Sequence, residues 1–177
     1  MKRNHLIALF GVVVASILFS ACKKEEPPQI PVDPTPPNAI VGNWISVRTN
    51  VAPFFRQQPL NADSVWARFT VENTYQLKIY DAQGVETANL GGTWSATASG
   101  YSKIYNVVLS QTQPDTRRLE GIFEVYTASP DSMKLEFLQT APELPNFNGP
   151  NAQAGFGSST GPGFQPGTAT HRFRRLP

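Results

Sequence analysis

Cys22 is the residue whose chemistry can be assigned most directly from this sequence. It is the single cysteine among 177 residues, and it follows residues 6–21, an uncharged and largely apolar run preceded by Lys2 and Arg3. A basic start, a short apolar run and small residues before a cleavage point form the pattern of a secretory signal peptide. A cysteine at that point supplies a thiol that can be acylated. We therefore expect residues 1–21 to be removed and Cys22 to carry lipid.

The end of the apolar run, Phe19-Ser20-Ala21-Cys22, resembles the lipobox of bacterial lipoproteins, with Phe19 where an aliphatic residue is usual. The resemblance implies a membrane partner reached through acyl chains such as palmitate on Cys22. Each buried methylene contributes about 0.8 kcal/mol, so two or more chains would hold the protein stably. The alternative is an unprocessed signal anchor, although the run is shorter than the ~20 apolar residues that a spanning helix needs.

A charged and then proline-rich segment follows the cysteine. The Lys-Lys-Glu-Glu run at 23–26 resembles the short signal of surface-exposed lipoproteins in Bacteroidota, which implies the outer membrane and the cell surface. Its alternative role is to solvate a linker. Prolines then recur up to residue 37, which favours extended backbone that spans ~3.1 Å per residue, or up to about 50 Å in all. We expect residues 22–39 to be a lipidated linker and residues 40–177 to form one domain.

Enzymatic chemistry receives little support from the remaining residues. His171 is the one histidine after the predicted cleavage point, and the sequence has no His, Cys and carboxylate cluster at metal-binding spacing. It also lacks the Gly-x-Ser-x-Gly nucleophile elbow. Glu120 and Glu124 share a strand face, but beside Arg118 they are interpreted as solvent-side charge. We predict no catalytic residue, no metal site, no cofactor and no enzymatic activity.

The charge balance bears on possible partners. The chain has 15 basic and 13 acidic side chains, and loss of Lys2 and Arg3 would leave 13 of each. A neutral balance argues against electrostatic capture of nucleic acid. With its cysteine acylated, the mature chain would have no disulfide, so packing must stabilise it. The oligomeric state is left open.

The pattern of residues 40–177 predicts an all-β fold, an antiparallel sandwich or barrel. In 119–125 the odd residues Leu, Gly, Phe and Val share one face, and Met133, Leu135 and Phe137 oppose Lys134 and Glu136. Such alternation is typical of strands buried on one side. The predicted strands are residues 41–48, 64–71, 74–80, 92–97, 101–110, 117–127, 132–139 and 169–176, with a short ninth at 84–88 as an option.

Three short motifs add a resemblance to a known family. Gly42-Asn43-Trp44 is similar to the glycine-x-tryptophan start of lipocalin-like proteins. Residues 69–75 and the Gly92-Thr93-Trp94 run are similar to later strands of lipocalin-like domains in Bacteroidota lipoproteins. The resemblance covers roughly residues 40–139. It implies an up-and-down barrel of about eight strands, with Trp44 packed across the closed end and Gly42 allowing close backbone approach. Trp44 and Trp94 are both interpreted as core residues.

Two functions follow from a lipocalin-like barrel. In the first, the barrel holds a small apolar ligand, with Tyr75, Tyr105, Phe123 and Phe137 as the candidate ligand-binding residues; the same side chains could instead fill the barrel. In the second, the barrel is filled and its outer face or loops bind a glycan or a protein. An outward aromatic platform for sugar rings would use Trp66, Tyr80 and Tyr126.

One long loop, residues 140–167, is rich in Pro, Asn, Gly and Gln and contains Phe147, Phe156 and Phe164. Loops of this length without secondary structure are either functional or disordered. The two hypotheses are a lid whose phenylalanines close the barrel mouth, and a mobile insertion.

Overall fold

The computed structural model describes residues 37–177. The predicted signal peptide, Cys22 and most of the predicted linker lie outside the described residues. The domain predicted to begin at residue 40 is preceded by one 3-10 turn, Pro37–Ile40.

Eight antiparallel strands form a closed barrel in which each strand pairs with the next along the chain and the last pairs with the first. The all-β, up-and-down fold of about eight strands is thereby confirmed. The strands are β1 (Gly42–Val47), β2 (Ser64–Phe69), β3 (Thr74–Tyr80), β4 (Glu86–Ala98), β5 (Tyr105–Gln113), β6 (Arg117–Tyr126), β7 (Ser132–Ala141) and β8 (Thr170–Arg175).

The fourth strand differs from the sequence prediction. Residues 86–88 of the optional ninth segment and the predicted segment 92–97 belong to one strand of 13 residues, so there is no separate ninth strand among the described residues. The glycines between the two segments suggested a break in the strand. Instead, Gly92 allows the strand to lie close to its neighbour β5. A Cβ at Gly92 would overlap the carbonyl oxygen of Ser110 on β5. The strand pairing also shifts between Gly91 and Gly92, which marks a bulge.

The fifth strand begins four residues later than predicted, at Tyr105. The segment before it is a turn held by Ser99, whose hydroxyl donates to the carbonyl of Ile104 over 2.6 Å. The same hydroxyl accepts from the backbone N–H of Tyr101 over 3.1 Å. A serine that bonds the nearby backbone in this way favours a turn over a strand ladder.

The core lies inside the barrel, where alternate residues of each strand point inward. The predicted inward residues of β6, Leu119, Phe123 and Val125, are all buried, and Phe123 is completely so. Burying a large apolar side chain of this kind stabilises the fold by about 1.5–3 kcal/mol. The alternation that predicted the strands therefore also locates the core.

Trp44 and Arg175 close the end of the barrel where the chain enters. The Trp44 indole is fully buried and donates to the carbonyl of Ile40 over 2.7 Å. The Arg175 guanidinium lies 4.2 Å from the Trp44 ring centre and donates to the carbonyls of Val41 and Ala39. Trp44 thus packs at this end of the barrel beside Arg175, a residue whose role was not predicted from the sequence.

The opposite end is covered by residues 51–63, which connect β1 to β2. Phe55 contacts the rings of Phe137 and His171 edge-on, with centroids 5.8 and 4.7 Å apart. Val51 and Ala52 are also buried. Both ends of the barrel are therefore closed by side chains of this chain.

Candidate functional site

The four candidate ligand-binding residues all point into the barrel. Tyr75, Tyr105, Phe123 and Phe137 are each at most 4% exposed. The rings of Tyr105 and Phe123 stack with centroids 5.4 Å apart. All four belong to one cluster of buried apolar residues that runs through the barrel. In this structure their surfaces are covered by neighbouring side chains.

The Tyr75 hydroxyl is an exception within this apolar interior. Its oxygen is buried and has no hydrogen-bond partner among the described residues. Burial raises the pKa of Tyr75 well above its ordinary value, so the phenol is neutral. An unpaired buried hydroxyl costs free energy, which marks this position as one that a polar group could stabilise.

His171 is also an interior residue, and its surroundings are aromatic. Its ring stacks with Phe137 and Phe173, at centroid distances of 5.8 and 5.5 Å. Its Nδ1 accepts a hydrogen bond from the backbone N–H of Ala52 over 3.3 Å. Complete burial lowers the pKa of His171 to about 3, so the imidazole is neutral. These contacts make His171 a structural residue of the barrel interior.

Glu136 anchors the long loop between β7 and β8, residues 142–169, to the outer face of the barrel. The residue is fully buried although it points outward from β7. Its carboxylate accepts hydrogen bonds from the N–H groups of Gly157 and Ser159 and from the hydroxyls of Ser159 and Thr170, at 2.5–3.0 Å. The outward residues Ile122 and Leu138 are buried as well. The loop therefore forms a second layer over β6, β7 and β8.

The three loop phenylalanines have different positions. Phe147 and Phe164 contact each other, with ring centroids 5.2 Å apart, and both contact Phe54 of the segment that covers the barrel end. Phe156 lies instead against Lys134 on the outer face of β7. The barrel end itself is covered by Phe55, so the loop packs behind this cover and along the barrel wall.

A pocket of about 610 Å³ opens between this loop and the outer face of β7 and β8. Lys134 and Arg172 form its floor, and Thr170 lies beside them. The loop contributes Phe156, Gly157 and residues 165–168 to the wall, and the segment after β1 contributes Thr49 and Pro53. The volume lies within the range of small-molecule sites, although the walls are more polar and more open than those of most such sites.

Cationic side chains set the electrostatics of the pocket. Lys134 and Arg172 are paired across β7 and β8, so both project from the same face of the sheet. The Lys134 ammonium lies 5.5 Å from the centre of the Phe156 ring and 5.4 Å from that of Tyr126. Burial, followed by a hydrogen bond donated to Glu124, raises the pKa of Tyr126 well above its ordinary value. Tyr126 therefore remains neutral at the edge of the site.

The predicted aromatic platform is not assembled in the structure. Trp66 and Tyr80 lie on the outer face of the neighbouring strands β2 and β3. Tyr126 lies on β6, which is separated from β2 by β7, β8 and β1. Because Tyr126 is remote from the other two, a single sugar ring cannot contact all three. The aromatic residue that lines the pocket is Phe156, which belongs to the long loop predicted to be either a lid or a mobile insertion.

Within residues 37–177 no group of three or more His, Cys, Asp or Glu side chains is arranged to hold a metal ion. The same part of the chain contains no helix that is long and apolar enough to cross a membrane. No protein-family model matches the chain, and neither a curated protein nor a solved structure is significantly similar to it. The described residues form a closed eight-stranded barrel with a pocket on its outer wall.

Proposed function

We propose that this protein is a membrane-anchored binding module whose barrel is a filled scaffold and whose ligand binds in the outer pocket. The observation that carries the proposal is the contrast between the two sides of the barrel wall. Inside, the candidate ligand-binding aromatics are buried against one another. Outside, the loop and strands β7 and β8 leave a pocket that is open to solvent. This contrast favours the surface-binding function over a ligand held inside the barrel.

The way the pocket is built also supports binding. Its floor belongs to a closed barrel, and its wall is held by the Glu136 hydrogen bonds to Gly157, Ser159 and Thr170. Gly157 has a φ of +89°, and a Cβ there would lie 3.1 Å from the N–H nitrogen of Gly167, so two parts of the wall touch at this residue. A wall fixed before binding lowers the entropy cost of capturing a ligand.

The cellular setting is part of the proposal. Cys22 would carry the lipid, residues 23–39 would hold the barrel away from the bilayer, and the Lys-Lys-Glu-Glu run would direct the protein to the surface of the outer membrane. A binding module in that position would meet ligands outside the cell. Of the two surface partners, glycan and protein, a glycan suits the pocket better, because the pocket is an open cleft of about 610 Å³ and not an extended flat face.

A saccharide-binding assay tests this function. The full chain, purified in detergent, would be screened against an oligosaccharide panel, and the best ligand titrated by calorimetry. We expect Phe156→Ala to weaken binding about tenfold or more, because stacking on an aromatic ring is lost. Tyr101→Ala, which removes an exposed aromatic outside the pocket lining, is the matched control and should bind normally. Unchanged affinity in Phe156→Ala would contradict the pocket as the site.

A small apolar ligand inside the barrel is the second candidate, and the unpaired Tyr75 hydroxyl favours it. A ligand with one polar atom could bond this hydroxyl, provided that the barrel opens to admit it. Native mass spectrometry of the full chain from its own host, compared with the denatured mass, tests this candidate. Extra mass that is retained in Phe156→Ala and lost in Tyr75→Phe would support an interior ligand. Extra mass lost in Phe156→Ala would support the outer pocket.

A further inference from the structure

We propose that the outer pocket selects ligands that carry an anionic group, and that Lys134 and Arg172 are the residues that bind it. The inference rests on the proposed function and names the ligand class of the same site. Both cations line the pocket, and no Asp or Glu is among the lining residues. A ligand whose charge complements these two cations is an anion. The aromatic ring and the hydroxyl groups in the rest of the pocket lining indicate that this anion is an acidic saccharide.

The two cations are adjacent and have no carboxylate partner within the described part of the chain. Lys134 and Arg172 are register partners on β7 and β8, and like charges placed opposite each other in a sheet are destabilising. The other outward arginine of β8, Arg174, lies outside the pocket lining. By contrast Arg175 is paired with Asp131 over 3.0 Å, and Arg118 with Glu120 over 2.6 Å.

The carboxylates of Glu124 and Glu136, which flank Lys134 in the sheet, accept their hydrogen bonds from neutral donors, and among the described residues neither forms an ion pair with Lys134 or Arg172. Glu124 is the register partner of Lys134 on β6, but its Oε2 accepts from the Tyr126 hydroxyl. Glu136, two residues from Lys134, is fully buried beneath the loop, and its oxygens are occupied by Gly157, Ser159 and Thr170. An incoming anion would therefore find donors on Lys134 and Arg172 that are not already bound to carboxylate.

The other walls indicate what should be attached to the anion. The Phe156 ring is half-buried and offers an apolar surface suited to the C–H face of a pyranose ring. Thr49 and Thr170 lie in the same lining, and the Thr170 hydroxyl, which donates to Glu136, can accept a hydrogen bond from a sugar hydroxyl. A volume of about 610 Å³ exceeds what a simple inorganic anion would fill. A hexuronate residue combines a carboxylate, hydroxyls and an apolar ring face in one group.

A matched pair of ligands isolates the charge. We would titrate the full chain in detergent with a hexuronate trisaccharide and with its methyl ester, which has the same shape without the charge. The acid should bind about tenfold or more tightly than the ester. Arg172→Gln and Lys134→Gln should each remove most of that difference while the ester binds as before. Arg174→Gln, on the same strand and face but outside the lining, is the control.

The outcomes separate this inference from the proposed function. Equal affinity for acid and ester, with Phe156→Ala still harmful, would overturn anion selection and leave the outer pocket as a saccharide site. If sodium sulfate binds with the same affinity as the trisaccharide and displaces it, the pocket is a site for a bare anion. That result would overturn the saccharide assignment. Binding of neither ligand would overturn both proposals. Thermal melting of each variant identifies any that fail to fold, and for those Lys134→Met and Arg172→Met would replace the glutamine variants.

Discussion

At the scale of single residues, His171 and Glu136 show how a barrel wall determines what a polar side chain does. His171 points inward among aromatic rings, and its Nδ1 accepts a hydrogen bond from the N–H of Ala52. Glu136 points outward, and the loop above it supplies N–H and hydroxyl donors. The two residues lie on neighbouring strands, so the side of the wall, and not the position along it, determines their surroundings.

The burial of His171 predicts a pH dependence of stability. Its pKa is about 3 in the folded protein, against about 6.5 for an unfolded chain. Above pH 6.5 both states are neutral and no stability is lost. As the pH falls from 6.5 towards 3, His171 is protonated in the unfolded state and stays neutral in the folded state. The free energy of unfolding should therefore fall by up to about 1.4 kcal/mol per pH unit.

Urea denaturation at several pH values between 7 and 4 measures this effect. His171→Gln retains an acceptor for the Ala52 N–H but cannot ionise in this range, so it is the comparison variant. Carboxylates contribute to both curves, and the difference between the curves isolates the histidine. Parallel curves for the two proteins would contradict a neutral, buried His171.

At the scale of elements, the loop of residues 142–169 is a folded layer and not a simple connection. Asn148 and Thr160 bridge its two limbs by paired backbone hydrogen bonds of 2.9 and 3.0 Å. Glu136 holds it to β7, and the Phe147 and Phe164 rings attach it to Phe54. The loop and the outer strands therefore form the pocket together, and loss of the anchor should open it.

Glu136→Gln should loosen this layer without unfolding the barrel. An amide in place of the carboxylate directs N–H groups at N–H and hydroxyl donors, which leaves buried polar groups unsatisfied at a cost of about 1–3 kcal/mol each. Hydrogen exchange should accelerate at Gly157 and Ser159 and stay slow at β3 and β4. Glu120→Gln removes an exposed, Arg118-paired carboxylate and should leave both regions unchanged. Equal protection in Glu136→Gln and the native chain would show that Glu136 is not the anchor.

Much of the barrel could be predicted from sequence because one-sided burial leaves an alternating pattern. The strand Thr74–Tyr80 was predicted with its observed bounds, and β6 differs by one residue at its end. The outer pocket could not be predicted, since Lys134 and Glu136 both follow the alternation as solvent-side charges. One signal was present in the sequence. Ile122 is an apolar residue on the otherwise polar face of β6, and its burial shows that another layer covers that face.

The sequence cannot show whether the aromatic residues inside the barrel fill it or line a cavity. The residues concerned are Tyr75, Tyr105, Phe123 and Phe137. Alternation correctly places each of them inside the barrel. Whether inward aromatics fill a small barrel or line a cavity depends on the size of all their neighbours across the barrel. Phe55, which packs on Phe137, comes from an irregular segment that carries no alternation. Strand patterns alone therefore cannot separate the two cases.

At the scale of the whole molecule, the barrel is proposed to bind the ligand and the anchor is proposed to hold the protein at the membrane. The described residues supply a closed scaffold with a pocket on one wall, and the proposed lipid on Cys22 would supply location. The chain enters the barrel at Ile40, beside Trp44 and Arg175, while the pocket lies on the strands β7 and β8. The proposed anchor and the proposed binding pocket therefore belong to separate parts of the chain.

Cys22→Ala tests the anchor. Without the thiol no diacylglycerol can be attached, so the protein should leave the membrane fraction and lose labelling by radioactive palmitate in its own host. Replacing Lys23 and Lys24 with alanine is the companion variant. It should keep labelling and membrane association, and lower the fraction cleaved by protease added to intact cells if the run is a surface signal. Palmitate labelling that persists in Cys22→Ala would contradict lipidation at this residue.

The entry of the chain beside Arg175 has a mechanical consequence. Arg175 holds the carbonyls of Ala39 and Val41 and is itself paired with Asp131, so the entry segment is fastened to the last strand as well as to the first. A pull applied at Pro37 would act along β1, which is bonded to β2 over its whole length and to β8 at Trp44 and Ile45. Such a force would have to break the hydrogen bonds of β1 to β2 and β8 at the same time and not one after another. A barrel tethered through the proposed anchor at Cys22 would therefore resist extraction at its first strand.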